Sequence, residues 1–76
     1  MPHIIVKIAS SPSEDKKTAL AEALADTAIK LLGIDPATIS VSIDEVAREN
    51  WVGAVYKPEI LEKPKTIYKK PGYDPL

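Results

Sequence analysis

One α/β (α+β) domain, a β-α-β unit with parallel strands, is the fold class predicted by three stretches of the sequence. His3 to Ala9 is an Ile-rich, strand-like run; apolar residues recur at helical spacing from Leu20 to Leu32; Ile39 to Ile43 alternates strictly between aliphatic residues and serine. Strand, long helix and strand in succession form a crossover, which is right-handed and leaves its two strands parallel.

In the first strand Ile4, Val6 and Ile8 share one face, and Ile5 and Ala9 share the other with His3 and Lys7. Both faces are partly apolar, so cover is expected on both sides. Ser10-Ser11-Pro12-Ser13-Glu14 is a helix start with two readings. Ser11 as N-cap puts Pro12 at the first helical position and Glu14 three residues on, a capping box. Ser13 as N-cap puts Glu14 and Asp15 in the first turn, where the helix dipole favours them. Leu20, Leu24, Ala28 and Leu31 then form an apolar stripe that Ile29 and Leu32 widen, with Glu22, Asp26 and Lys30 opposite. Gly33 is the natural stop, and Asp35-Pro36 bars continuation. In the second strand Ile39, Val41 and Ile43 face a core while Ser40 and Ser42 face elsewhere. Asp44 to Asn50 reads as a polar turn or short helix, followed by an apolar cluster of Trp51, Val52, Ala54, Val55 and Tyr56 around Gly53. Beyond Lys57, Pro58, Pro64, Pro71 and Pro75 argue against a long regular element and leave room for one helical turn around Glu59–Lys63. Ile67, Tyr68 and Tyr73 mark the tail as docked on an apolar surface.

With 76 residues the chain reads as a single domain, a β-α-β core over 1–51 and a proline-rich C-terminal segment over 52–76 that docks on the core or on a partner. Two strands and one helix do not make a stable domain alone. There is no cysteine for a disulfide or a thiolate metal site, and one histidine does not build a zinc site. Association with further copies remains as the route to a larger core. A symmetric dimer that joins two units into a four-stranded sheet is the simplest closed solution. Net charge is −1, from 10 basic and 11 acidic residues, and no basic stripe forms, so no nucleic-acid partner is expected. The apolar stretches are too short to span a membrane. Without a signal-like start or any cysteine, the chain reads as cytoplasmic.

The usual catalytic sets are missing. There is no cysteine nucleophile, no serine in a nucleophile elbow, and no glycine-rich phosphate loop between the first strand and the helix. Adjacent Asp44 and Glu45 at a strand end could do acid–base work, though a polar turn accounts for them more simply. The distinctive residue is Pro2. Removal of Met1 would leave its ring nitrogen a secondary amine, free of the amide delocalisation that abolishes basicity. A free α-amino group titrates at about pH 7.7–8.0, and an apolar pocket or a nearby cation lowers that value. A base poised near the working pH is matched to proton transfer.

Met-Pro, the Ile-rich strand, the Ser-Glu-Asp-Lys-Lys helix start, the alanine/leucine helix and the segment Ile-Ser-Val-Ser-Ile-Asp-Glu-Val-Ala-Arg-Glu-Asn-Trp ending at Trp51 together resemble the 4-oxalocrotonate tautomerase family of the tautomerase superfamily. The tail Lys69-Lys70-Pro71-Gly72-Tyr73 is similar to a longer bacterial subgroup of the phenylpyruvate-enol type, whose members form dimers where shorter members form hexamers. The resemblance implies an isomerase, without cofactor or metal, that interconverts keto and enol forms of a small-molecule 2-oxo acid such as an aryl enolpyruvate. Pro2 would be its catalytic base and acid. Trp51 matches the family's aromatic position on the wall of the site; core or interface packing accounts for it equally well.

The sequence also departs from the family. Well-characterised members use one arginine just before the helix and one in the second strand to bind carboxylates; Pro12 and Ser40 stand at those positions. Without the bidentate clamp, a monoacid or apolar aryl enol is expected over a dicarboxylate. Ser40 could donate one hydrogen bond to substrate. Arg48 is the candidate substrate-binding cation, with Lys7 beside it, although solvated surface is the commoner role for both residue types. His3 abuts Pro2, either tuning it or merely packing. Two other readings stand alongside: a further proline-dependent reaction on unsaturated acids, such as hydration or dehalogenation, and a non-catalytic oligomeric interaction module.

Overall fold

The computed structural model describes every residue from Met1 to Leu76. Strand β1 (His3–Ile8) and strand β2 (Ser40–Glu45) pair in parallel as a two-stranded sheet. His3 lies opposite Ser40, Ile4 opposite Val41, Val6 opposite Ile43 and Ile8 opposite Glu45. With side chains alternating along each strand, this register gathers Ile4, Val6, Val41 and Ile43 on one face and His3, Ile5, Lys7, Ser40 and Ser42 on the other.

Helix α1 (Glu14–Leu32) crosses between the strands. Ser13 is the cap the fold uses: its backbone is extended at φ −62°, ψ 158°, and its hydroxyl accepts the Lys16 N–H at 3.2 Å. Ser11 and Pro12 lie outside the helix. Glu14 and Asp15 occupy the positive end of the dipole and Lys30 the negative end. Gly33 stops the helix in the left-handed conformation, φ 64°, which glycine adopts without a Cβ clash, and its N–H closes on the Ile29 carbonyl at 2.9 Å.

The covered stripe of α1 is rotated from the one expected. Ala21, Leu24, Ala25, Ala28 and Ile29 are half-buried, whereas Leu20 and Leu32 are exposed and Leu31 is 81% exposed. Slim alanines let the helix backbone approach the sheet, so the alanine side turns inward. In addition, 19 helical residues extend about 28 Å against about 20 Å for a six-residue strand, so the last turn overhangs the sheet. Lys17, in the second turn, ion-pairs with Glu45 at the end of β2 and with Glu14 at 3.4 Å.

The β2 strand runs on through Asp44 and Glu45, and a 3-10 turn (Arg48–Asn50) leads straight into a π-helix, Val52–Leu61. The prolines had suggested at most one helical turn, later in the chain; instead ten residues are helical with Pro58 inside. In an α-helix the Pro58 ring would strike the carbonyl four residues back; the wider i→i+5 turn relieves that clash at the cost of one hydrogen bond. The Glu62 N–H ends the element on the Lys57 carbonyl at 3.0 Å. Lys7 Nζ meets the Glu59 carboxylate at 2.7 Å and so fastens the π-helix to the sheet face opposite α1.

Cover on that second face is partial, since Ile5 stays 53% exposed. Only Val55 and Tyr56, at 5% and 7% exposure, are buried. The chain exposes 5888 Å², about 1,300 Å² more than the ~4,600 Å² of a folded 8.3 kDa monomer. Its radius of gyration, 14.0 Å, exceeds the ~11 Å of a close-packed domain of this length. The protomer has no closed core of its own. No helix is long and apolar enough to cross a membrane.

Candidate active site

Pro2 sits immediately before β1, half-buried, with its carbonyl accepting the Ser40 N–H at 3.3 Å. Met1 projects fully into solvent. While Met1 is attached the Pro2 nitrogen is an amide; removing it frees an amine on a residue whose other end is already fixed. Ser40 is engaged twice at this spot. Its Oγ lies 2.6 Å from His3 Nδ1, a contact in which either group can donate. The hydroxyl has one proton and two lone pairs, and with one of these engaged it keeps capacity for two more partners. Helix α1 returns the chain to this same end, so the exposed Leu31 and Leu32 lie at the end of the sheet that carries Pro2.

The other end of the sheet carries an open cavity of about 460 Å³, walled by Lys7, Arg48, Trp51, Val52, Tyr73 and Pro75. Trp51 sits where the 3-10 turn enters the π-helix, and its indole N–H donates to Tyr73 Oη at 2.9 Å. The Tyr73 ring in turn packs on buried Tyr56, centroids 5.9 Å apart and planes tilted by 44°. The tail thus meets the core at Tyr73, which stays 49% exposed, while Tyr68, also expected to dock, is 97% exposed. The two cations of the cavity differ. Lys7 is neutralised by Glu59, whereas Arg48 forms no ion pair.

Of the four residues singled out from sequence, Pro2 and Ser40 come together at one end and Trp51 and Arg48 at the other. Arg48 borders Ala9 beyond the far end of β1, whereas Trp51 reaches back along the Lys7 face to Ile5. Asp44 and Glu45 do not form a catalytic pair, because consecutive strand residues point to opposite faces. Glu45 has a structural partner: the Lys17 ammonium first, and the Ser11 hydroxyl second, hold its carboxyl below the ordinary glutamate value. The same contact holds Lys17 above the ordinary lysine value. Sequence reasoning missed Glu59 and the part Tyr73 plays beside Trp51. Neither lies within eight residues of its partner along the chain, so no periodicity pointed to the contact; the density of aromatics in an otherwise proline-rich tail was the available signal.

A family model described as tautomerase enzyme matches residues 2–56. The chain is 42% identical over 76 residues to a probable tautomerase of Xylella fastidiosa, spanning 100% of this chain and 93% of that relative. It is 40% identical over 74 residues to tautomerase PptA of Pectobacterium atrosepticum, spanning 96% and 97% of the two chains. Among solved structures, TomN, a 4-oxalocrotonate tautomerase homologue in the tomaymycin biosynthetic pathway, superposes with a TM-score of 0.63 at 32% identity, over 66% of this chain and 77% of TomN. The matched span opens at Pro2 and closes at Tyr56, one of the two buried core residues, and the chain accordingly belongs to the tautomerase family of isomerase enzymes.

Proposed function

We propose that the protein is a cofactor-independent, cytoplasmic keto–enol tautomerase for the enol of a 2-oxo monoacid, an aryl enolpyruvate, with Pro2 as general base and acid after loss of Met1. The observation that carries this reading is the start of the family match at Pro2, a residue anchored through its carbonyl while its nitrogen side opens to solvent. The neutral amine takes the enol hydroxyl proton, the O–H pair becomes the C2=O bond, and the C2=C3 pair takes a proton at C3 from the resulting ammonium. Atoms and charge balance without a co-reactant, and the base is regenerated.

Substrate recognition follows from what the cavity walls offer. Arg48, free of any carboxylate of the protein, takes the single substrate carboxylate, and the Trp51 face takes the aryl group. The remaining capacity of the Ser40 hydroxyl serves a substrate oxygen. The working unit is a homodimer, since the protomer leaves its sheet edges and apolar surface open. Antiparallel pairing of two sheets about a two-fold axis brings Pro2 and Ser40 of one chain beside Trp51 and Arg48 of the other.

The test is Pro2→Ala, with removal of Met1 checked by intact mass and enol-to-keto conversion of phenylpyruvate followed by ultraviolet absorbance. Alanine keeps the carbonyl that Ser40 binds, so the circular dichroism should be unchanged. kcat/KM should fall by about 10²–10⁴, the usual worth of a positioned base. Undiminished turnover by the folded variant would remove Pro2 from the mechanism.

A further inference from the structure

We propose that Tyr73 is a positioning residue for the substrate wall: its phenol oxygen accepts the Trp51 indole N–H and fixes the ring against which the substrate packs. The inference rests on the reading of Trp51 as that wall.

Three observations converge on it. The hydrogen bond, at 2.9 Å, joins residues 22 apart in sequence and is the indole's one polar contact. The Tyr73 ring lies 5.9 Å from that of Tyr56, which is 7% exposed and one of two residues forming the protomer's core. A buried point of the fold is thereby connected, through Tyr56 and then the 49% exposed Tyr73, to the indole. Third, Tyr73 and its neighbour Pro75 border the same cavity as Trp51 and Arg48.

Trp51 itself is only half-buried, at the junction of two short helical elements, and its neighbours there, Asn50 and Gly53, are exposed. Nothing else polar restrains the ring. An aromatic wall that swings between rotamers presents a given ligand with the right face for only part of the time, and apparent affinity falls by that fraction. Tyr73 supplies the missing restraint. The residue does not touch the reacting atoms, so its removal should weaken binding and leave the proton transfer intact.

Trp51 is the chain's single tryptophan, so its fluorescence reports this site alone. The experiment uses the full chain and three variants. Tyr73→Phe removes the acceptor and keeps the ring on Tyr56; Tyr73→Ala removes both; Pro2→Ala removes the proposed base. Each is titrated with 3-phenylpropionate, an unreactive aryl carboxylate, and assayed with enol phenylpyruvate.

Tyr73→Phe should red-shift the Trp51 emission as the indole N–H turns to water. It should raise both the 3-phenylpropionate Kd and the enol KM about three- to ten-fold, the worth of one hydrogen bond, with kcat unchanged within about two-fold. Tyr73→Ala should do at least as much. Unchanged emission and Kd in Tyr73→Phe overturn the proposal, even if Tyr73→Ala is impaired, because stacking alone would then be at work. A fall in kcat with KM unmoved overturns it too. If 3-phenylpropionate leaves the wild-type indole unquenched, Trp51 is not a wall and Tyr73 has nothing to position. Pro2→Ala should bind 3-phenylpropionate like wild type while losing turnover. Should it stay active, the base assignment fails and the Tyr73→Phe binding result still decides this proposal.

Discussion

Diluting the protein should unfold it, and the surface area says how firmly it should resist. A chain of 8.3 kDa exposing 5888 Å² leaves about 1,300 Å² uncovered that a monomer of its mass would bury. With somewhat over half of that area apolar and about 25 cal/mol per Å², the missing burial is worth about 18 kcal/mol gross. Net domain stability is about 5–15 kcal/mol, so a lone protomer with two buried residues cannot spare it. The same 1,300 Å² per chain also exceeds the ~800 Å² per partner of a standard interface and belongs with obligate assemblies. Association costs about 4–15 kcal/mol in lost freedom, which still leaves assembly favoured. Sedimentation velocity and far-ultraviolet circular dichroism, recorded from micromolar to nanomolar concentration, should show loss of helix and loss of the assembled mass at the same dilution. The melting temperature should rise with concentration. A folded 8.3 kDa species with full helical signal and a concentration-independent melting temperature would refute the area argument.

Two further outcomes follow from the charges. Arg48→Ala should raise KM for enol phenylpyruvate by ten-fold or more, since one charge-assisted hydrogen bond is worth about 1.5–3 kcal/mol, and steady-state kinetics will read it; an unchanged KM assigns Arg48 to solvent. Glu45 is held below its ordinary value of 4.5, so its contribution to stability is present above that pH and lost as pH falls through the lowered value. Lys17 is raised above 10.5 and loses its share only in strong alkali, so the contact stands undisturbed between those limits. Glu45→Gln should flatten the acid side of the melting-temperature profile at fixed protein concentration, and equal acid slopes in the two proteins would show that this ion pair does not govern acid stability.

The β-α-β unit was legible because its signals are local. Ile39 to Ile43 alternates with period two, α1 repeats at helical spacing, and Gly33 and Asp35-Pro36 punctuate its end. The N-cap stayed open between Ser11 and Ser13 because both satisfy local capping rules, and only the extended Ser13 backbone with its bond from Lys16 decides. The stripe of α1 was misread for a related reason: leucines weigh more than alanines in a hydrophobic pattern, yet close approach to a sheet favours the alanine side. The π-helix was invisible because Pro58 is a breaker at α-helical spacing and acceptable at the wider one. At the site, the pairing of Pro2 with Ser40 comes from strand register, and that of Trp51 with Tyr73 from a contact across 22 residues; neither is encoded in spacing.

The incomplete core has one physical cause. Seventy-six residues suffice for one crossover unit, whose sheet has two open edges and one half-covered face. On the proposed reading the base sits at one end of this sheet and the unpaired Arg48 beyond the other. In the proposed homodimer a second copy with its sheet reversed would cover exposed aliphatic surface and bring Arg48 of one chain toward Pro2 of the other. In the proposed site, substrate choice would depend on which charges remain unspent. Glu59 consumes Lys7, Glu45 and Glu14 consume Lys17, and Pro12 and Ser40 add none. Arg48 remains unpaired beside Trp51, and in the proposed site one unspent cation would match one carboxylate. On the proposed reading, the ion pairs inside the fold, as much as the residues lining the cavity, would favour a monoacid over a diacid.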